Sequence, residues 1–84
     1  MKTNYELVAS QFVAELEKAR TKFAPMHSAH EGYAVIAEEF DELWDIVKKK
    51  QLERDYAAFR KEAIQLGAMC LALVVEIIDT ENRR

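Results

Sequence analysis

An all-α fold is predicted by three features of the sequence. Glycine and proline are scarce, two and one in 84 residues, so few positions interrupt a helix. Apolar residues recur at steps of three and four along most of the chain. Helix-start signals stand ahead of those periodic stretches. Half of the residues are hydrophobic, enough to build a core, and the length suits one domain over residues 1–84.

The first helix is predicted over about residues 3–22. Thr3-x-x-Glu6 matches a capping box, in which each side chain satisfies a free backbone N–H of the other residue. Tyr5, Val8, Phe12, Leu16, Ala19 and Phe23 then form an apolar stripe of helical period. Pro25 cannot continue a helix, and Pro25, Ser28 and Gly32 punctuate a predicted loop over residues 21–32.

The second helix is predicted over about residues 33–49, with Ile36, Phe40, Leu43 and Val47 as its stripe and Trp44 beside it. The third is predicted over about residues 55–80. Its stripe is Tyr56, Phe59, Ala63, Leu66, Cys70, Leu73 and Ile77, and Asp55 is its candidate N-cap. No glycine or proline separates these two helices. The phase of the stripe does. Continuing the second helix past Val47 lands on Lys50, Arg54, Ala57 and Lys61, whereas the apolar stripe resumes at Leu52, Tyr56, Phe59 and Ala63. A chain reversal within Lys49–Arg54 produces such a jump and makes the helices antiparallel.

From Ile64 to Ile78 the strongly polar side chains are Gln65 and Glu76 alone. A helix apolar on all sides is buried on all sides, and two short partners cannot enclose it. Packing against further copies in a homodimer or homotetramer, an oligomeric helical bundle, is the predicted solution. The run reads as too short and too interrupted to span a bilayer, so no membrane is expected.

The net charge of −3 argues against a nucleic-acid polymer as partner. The basic runs, Lys48-Lys49-Lys50 and Arg83-Arg84, read as a solvated turn and a tail. A single cysteine, Cys70, excludes an intrachain disulfide, and it lies within the apolar stripe as a small core residue. No apolar signal segment follows Met1, and a reducing, cytoplasmic setting is expected.

The chemistry is concentrated in carboxylates. At roughly 100° per residue, Glu38, Asp41 and Asp45 point away from the second helix's stripe and read as surface charges. Glu39 and Glu42 lie about 60° apart on one flank of that stripe, in the sector of Val35 and Ile46. Glu62 and Gln65 repeat the spacing at a similar angle on the third helix. Antiparallel packing lets all four converge. Oxygen donors of this kind suit Mg²⁺ or Mn²⁺ rather than zinc. A solvated acidic face is the other reading of the same spacing. His27 and His30 are either loop residues or contacts to a phosphate or base. Lys61 and Arg60 are exposed helix charges or phosphate partners. Trp44 and Tyr33 are either packing aromatics or stacking platforms.

Glu38-Glu39-x-x-Glu42-Leu43, followed on the next helix by Glu62 within Arg60-Lys61-Glu62, resembles the MazG-like family of all-α nucleoside-triphosphate pyrophosphohydrolases. The likeness runs from about His27 to Ile78. The family signature is Glu-x-x-Glu, then Glu-x-x-Asp on a later helix. The resemblance implies hydrolysis of a nucleoside triphosphate between its α and β phosphates, giving a monophosphate and pyrophosphate. It also implies Mg²⁺ and assembly as dimers or tetramers. Carried over, Glu39, Glu42 and Glu62 are metal ligands, with Gln65 at the fourth position. Glu42 is a candidate for orienting or deprotonating water, although the sequence leaves the choice of base open. His30, Lys61 and Trp44 are candidate substrate contacts. Gln65 departs from the family's Asp and brings an oxygen without a charge, which keeps a second expectation alive. That alternative is a weak or inactive relative serving as a nucleotide-binding or helical oligomerisation module. Glu76, further along the same side of the third helix, is expected to have a structural or interface role, with a contribution to the site as the other reading.

Overall fold

The structure, a computed structural model, describes residues 2–83; Met1 and Arg84 lie outside it. Among the described residues the chain is helical with no strand. Helix α1 is Asn4–Arg20, α2 is Ala29–Val47 and α3 is Tyr56–Leu73. A single 3₁₀ turn, Gln51–Glu53, sits between α2 and α3. Beyond α3 the helical path continues through a π-turn, Val74–Ile78, and a last turn, Asp79–Glu81.

Local chemistry explains the boundaries. At the start of α1 the Glu6 N–H donates to Thr3 Oγ1 and the Thr3 N–H donates to Glu6 Oε1, both at 3.2 Å, which completes the capping box. Lys18 and Arg20 fall in its last turn, where cations offset the dipole. Asp55 caps α3, accepting from the N–H groups of Ala57 and Ala58 at 3.1 Å. The reversal falls inside the interval where the stripe changes phase, and Arg54 Nη2 ties it down by donating to the Val47 carbonyl at 2.8 Å.

Helix α2 starts earlier than the predicted Tyr33. Ser28 is its N-cap, accepting from the Glu31 N–H at 3.1 Å, and Gly32 lies inside the first turns rather than in the loop. Gly32 serves close packing. A Cβ there would stand 2.7 Å from Leu73 Cδ1 and 3.0 Å from Met26 Sδ. We expect Gly32→Ala to lower stability by about 1–2 kcal/mol, because overpacking outweighs the gain in helix propensity. Chemical denaturation of the two proteins measures that difference.

Helix α3 is the axis, packed by α1 on one side and α2 on the other. Its two fully buried residues are Ala68 and Ala72, and Met26 and Ile77 complete the buried apolar set. The small side chains let the neighbouring helices approach closely. They also make a thin core: among the described residues no large side chain is fully buried. Cys70 is exposed rather than a core residue, since its position on α3 turns away from Ala68 and Ala72. Several stripe residues also stay outside the packing, among them Tyr5, Phe23, Phe40 and Tyr56.

The chain is extended for its size. Its radius of gyration is 14.3 Å, against roughly 12 Å for a compact globule of this length. Its accessible surface is 6594 Å², where a folded monomer of this mass has about 5,100 Å². The end of α3 and the π-turn carry part of the excess, with Val74, Val75 and Ile78 exposed. The helical stretch Tyr56–Glu81, 26 residues with a mean hydropathy of 1.8 in its most apolar window, has the length and composition to cross a membrane. The helical path thus extends through both flanks of the Ile64–Ile78 run read from the sequence, and a helix that packs in a core passes the same test of length and composition.

One polar contact ties the far end together. Arg20 Nε and Nη2 donate to the two carboxylate oxygens of Glu76 at 2.7 and 2.6 Å, and the Met26 N–H donates to Glu76 Oε1 at 3.0 Å. Glu76 therefore joins α1, the link after it and the π-turn, which is the structural role expected for it. The hydrogen bonds and charge of Arg20 hold the Glu76 carboxyl below the ordinary carboxylate range, with burial opposing.

Candidate functional site

The reversal after Val47 sets α2 and α3 side by side, and their facing flanks bring three carboxylates together. Glu39 and Glu42 come from adjacent turns of α2 and Glu62 from the early part of α3. One oxygen from each lies within 4.8 Å of the others. Glu39 and Glu62 are half-buried, whereas Glu42 is exposed.

The electrostatics of this trio are unfavourable as it stands. Glu39 Oε2 and Glu62 Oε2 are buried without a hydrogen-bond partner. An unmatched buried acceptor costs about 1–3 kcal/mol, more when charged. Burial pushes the Glu39 carboxyl above its ordinary range, and the charges of Glu42, Glu62, Glu38 and Glu15 add to that. Burial also raises Glu62, followed by contact with Glu42 that becomes a hydrogen bond when one of the two carboxyls holds a proton; Lys61 opposes the shift. Among the described residues the salt bridges lie elsewhere, at Arg20–Glu76, His27–Glu31 and Lys48–Asp45. Among those residues no cationic side chain bridges the trio.

The donor chemistry fits a hard divalent cation. All three groups are oxygen donors, two of them with an orphaned buried oxygen, and Gln65 stands one turn beyond Glu62 with an amide oxygen. Gln65 is half-buried and shares with Glu39 the wall of a cleft of about 550 Å³. Ala19, Phe23, Met26, Val35 and Met69 give the cleft an apolar wall, and Glu15, Arg20, His27, Glu31 and Glu38 line it as well.

The other residues singled out from the sequence fall in different places. Lys61 is exposed on α3 beside Glu62 and lines a second groove, between α1 and α3. Trp44 is 56% exposed on α2, and His30 is exposed in the first turn of α2; neither lines the cleft. His27 does line it, with Nδ1 3.1 Å from Glu31 Oε2. Glu38, Asp41 and Asp45 are exposed, and Asp45 pairs with Lys48 at 3.0 Å. Glu15 of α1 was not legible as a site residue. It lines both cleft and groove and contributes to the raised Glu39 carboxyl. Its one signal is its place beside Leu16, on the flank of the α1 stripe.

No protein-family model, curated protein or solved structure matches the chain.

Proposed function

We propose that the chain is a Mg²⁺-dependent nucleoside-triphosphate pyrophosphohydrolase of the MazG-like type, working as a homo-oligomer in the cytoplasm. The observation that carries the reading is the convergence of Glu39, Glu42 and Glu62 from two helices, with buried oxygens that no protein group satisfies. Such an arrangement is costly in itself, and a shared divalent cation would compensate it.

Glu39, Glu42 and Glu62, with Gln65 as a neutral fourth donor, would hold Mg²⁺ (or Mn²⁺), which when bound neutralises the triphosphate and the charge of the leaving pyrophosphate. Glu42, the trio's solvent-exposed member, would orient water and take its proton. The water oxygen bonds to phosphorus as the bridging P–O bond between the α and β phosphates breaks. The bridge's electron pair departs with the leaving phosphate group, and the products are a nucleoside monophosphate and pyrophosphate. The apolar wall of the cleft beside Glu39, with Phe23, Met26, Val35 and Met69, offers the nucleoside a surface to pack on.

The surface excess of roughly 1,500 Å² per chain over the monomer scaling supports oligomerisation, since it matches what an extensive homodimer interface removes. Val74 and Ile78, one turn apart and exposed, are placed for that contact. We expect Val74→Asp combined with Ile78→Asp to convert an oligomer into monomer in sedimentation velocity.

Gln65 favours a second reading, a relative that binds nucleotide with little or no turnover. Purified protein incubated with canonical and modified nucleoside triphosphates and Mg²⁺ or Mn²⁺ separates the two. Pyrophosphate release lost in Glu39→Gln supports the hydrolase. Calorimetric nucleotide binding without release supports the alternative. Gln65→Asp is expected to raise Mg²⁺ affinity by about tenfold, the order of one added charged ligand. Lower affinity in a folded Gln65→Asp protein would remove Gln65 from the ligand set.

A further inference from the structure

The second groove, of about 520 Å³ between α1 and α3, has a charge opposite to that of the chain as a whole. Lys18 of α1 and Arg60 and Lys61 of α3 line it, against one acid, Glu15. None of the three cations has a carboxylate within salt-bridge distance among the described residues, although acidic residues outnumber basic ones in this chain by 15 to 12. The sequence makes this unpaired state systematic on α3. The positions three and four away from Arg60 and Lys61 are Tyr56, Ala57, Ala58, Ala63, Ile64 and Gln65, with no acid among them. On α1, Glu15 stands one turn before Lys18 and makes no bridge to it.

The groove also has a fixed relation to the carboxylate trio. Lys61 adjoins Glu62 in sequence and its charge acts on it. Glu15 lines both the groove and the cleft and acts on Glu39. Glu39 of the trio lines the cleft, and Glu62 directly follows Lys61 of the basic groove in sequence.

We infer that the groove formed by Lys18, Arg60 and Lys61 binds a polyphosphate group, the β- and γ-phosphates that leave together as pyrophosphate. In this arrangement, which rests on the hydrolase reading, the substrate lies across the trio with its nucleoside on the cleft's apolar wall and its phosphate tail in the groove. Cations without internal partners suit a multiply charged oxyanion, because ammonium and guanidinium groups donate hydrogen bonds to its oxygens from both walls. Lys18 and Arg60 thereby join Lys61 as substrate-binding residues, and α1 becomes part of the site.

Inorganic tripolyphosphate, titrated calorimetrically into the whole protein in the presence of EDTA, tests the groove directly. Without divalent cation the carboxylate trio repels the probe, so binding reports the basic wall. Wild type is expected to bind saturably, and the combined Lys18→Gln, Arg60→Gln and Lys61→Gln protein at least tenfold more weakly. Lys18→Arg with Lys61→Arg, which keeps the charges, is expected to retain affinity. No saturable binding by wild type, or equal binding by the triple variant, overturns the inference. Nucleotide turnover decides the hydrolase reading separately. A protein that binds tripolyphosphate in the groove yet releases no pyrophosphate from any nucleotide fails as an enzyme while the groove stands. Turnover with an unchanged KM in the triple variant keeps the enzyme and dismisses the groove.

Discussion

Glu39→Gln is expected to abolish pyrophosphate release, by about a hundredfold or more, while making the metal-free protein more stable by about 1 kcal/mol. Both effects have one cause. Glu39 is half-buried, one of its oxygens has no partner, and four further carboxylates act on it. The folded state therefore holds a carboxyl whose ionised form is opposed by burial and by its acidic neighbours. Glutamine keeps the shape and removes the charge, so the cation-free fold loses the strain and a cation loses one of its two half-buried ligands. Thermal unfolding of the metal-free proteins and a pyrophosphate assay of the same preparations give the two readouts. An ordinary surface acid would produce neither change, and a residue needed only for folding would lower stability rather than raise it.

The second large effect is on folding. Glu76→Ala is expected to lower stability by about 3 kcal/mol, a large share of what a chain of this size holds. It leaves the Arg20 guanidinium and the Met26 N–H without their acceptor at a place where the side chains of Arg20 and Glu76 are only 20% and 16% exposed. The contact also has a pH signature. Glu76 titrates lower in the folded protein than in the unfolded chain, so its contribution is fully present above the ordinary carboxylate range. It disappears as pH falls through the depressed folded value. The stability gap between wild type and Glu76→Gln, measured by denaturant titration, should therefore be constant near neutrality and close under acidic conditions. A gap that widens on acidification contradicts the pairing.

Much of the fold was legible because it rests on short-range rules. The Thr3/Glu6 box and the Asp55 cap are read from side chains that satisfy backbone groups a few residues away. The reversal after Val47 was legible without glycine or proline, since a stripe that changes phase cannot keep facing one neighbour. The flank shared by Glu39 and Glu42 was legible from helix angle alone. What escaped depends on how helices dock. Gly32 looks like loop punctuation until Leu73 and Met26 press against it. Cys70 belongs to the periodic stripe, yet the docking of α3 is organised around Ala68 and Ala72, which leaves Cys70 outside. Glu15 enters the site only because α1 packs closely on α3, where the Phe12 ring would stand 2.8 Å from a Cβ added at Gly67. Nothing local to residues 12–16 announces that approach. The Arg20–Glu76 pair spans 56 positions of sequence and needs the helical path to continue through the π-turn.

The claim on which the functional reading depends is that Glu39, Glu42 and Glu62 share one divalent cation. Titration of Mn²⁺ followed by electron paramagnetic resonance tests it most directly, because free and protein-bound Mn²⁺ differ in signal and no substrate is involved. One saturable site per chain, displaced by Mg²⁺ and lost in both Glu39→Gln and Glu62→Gln, is the expected result. Absence of saturable binding, or binding that both substitutions leave unchanged, contradicts it.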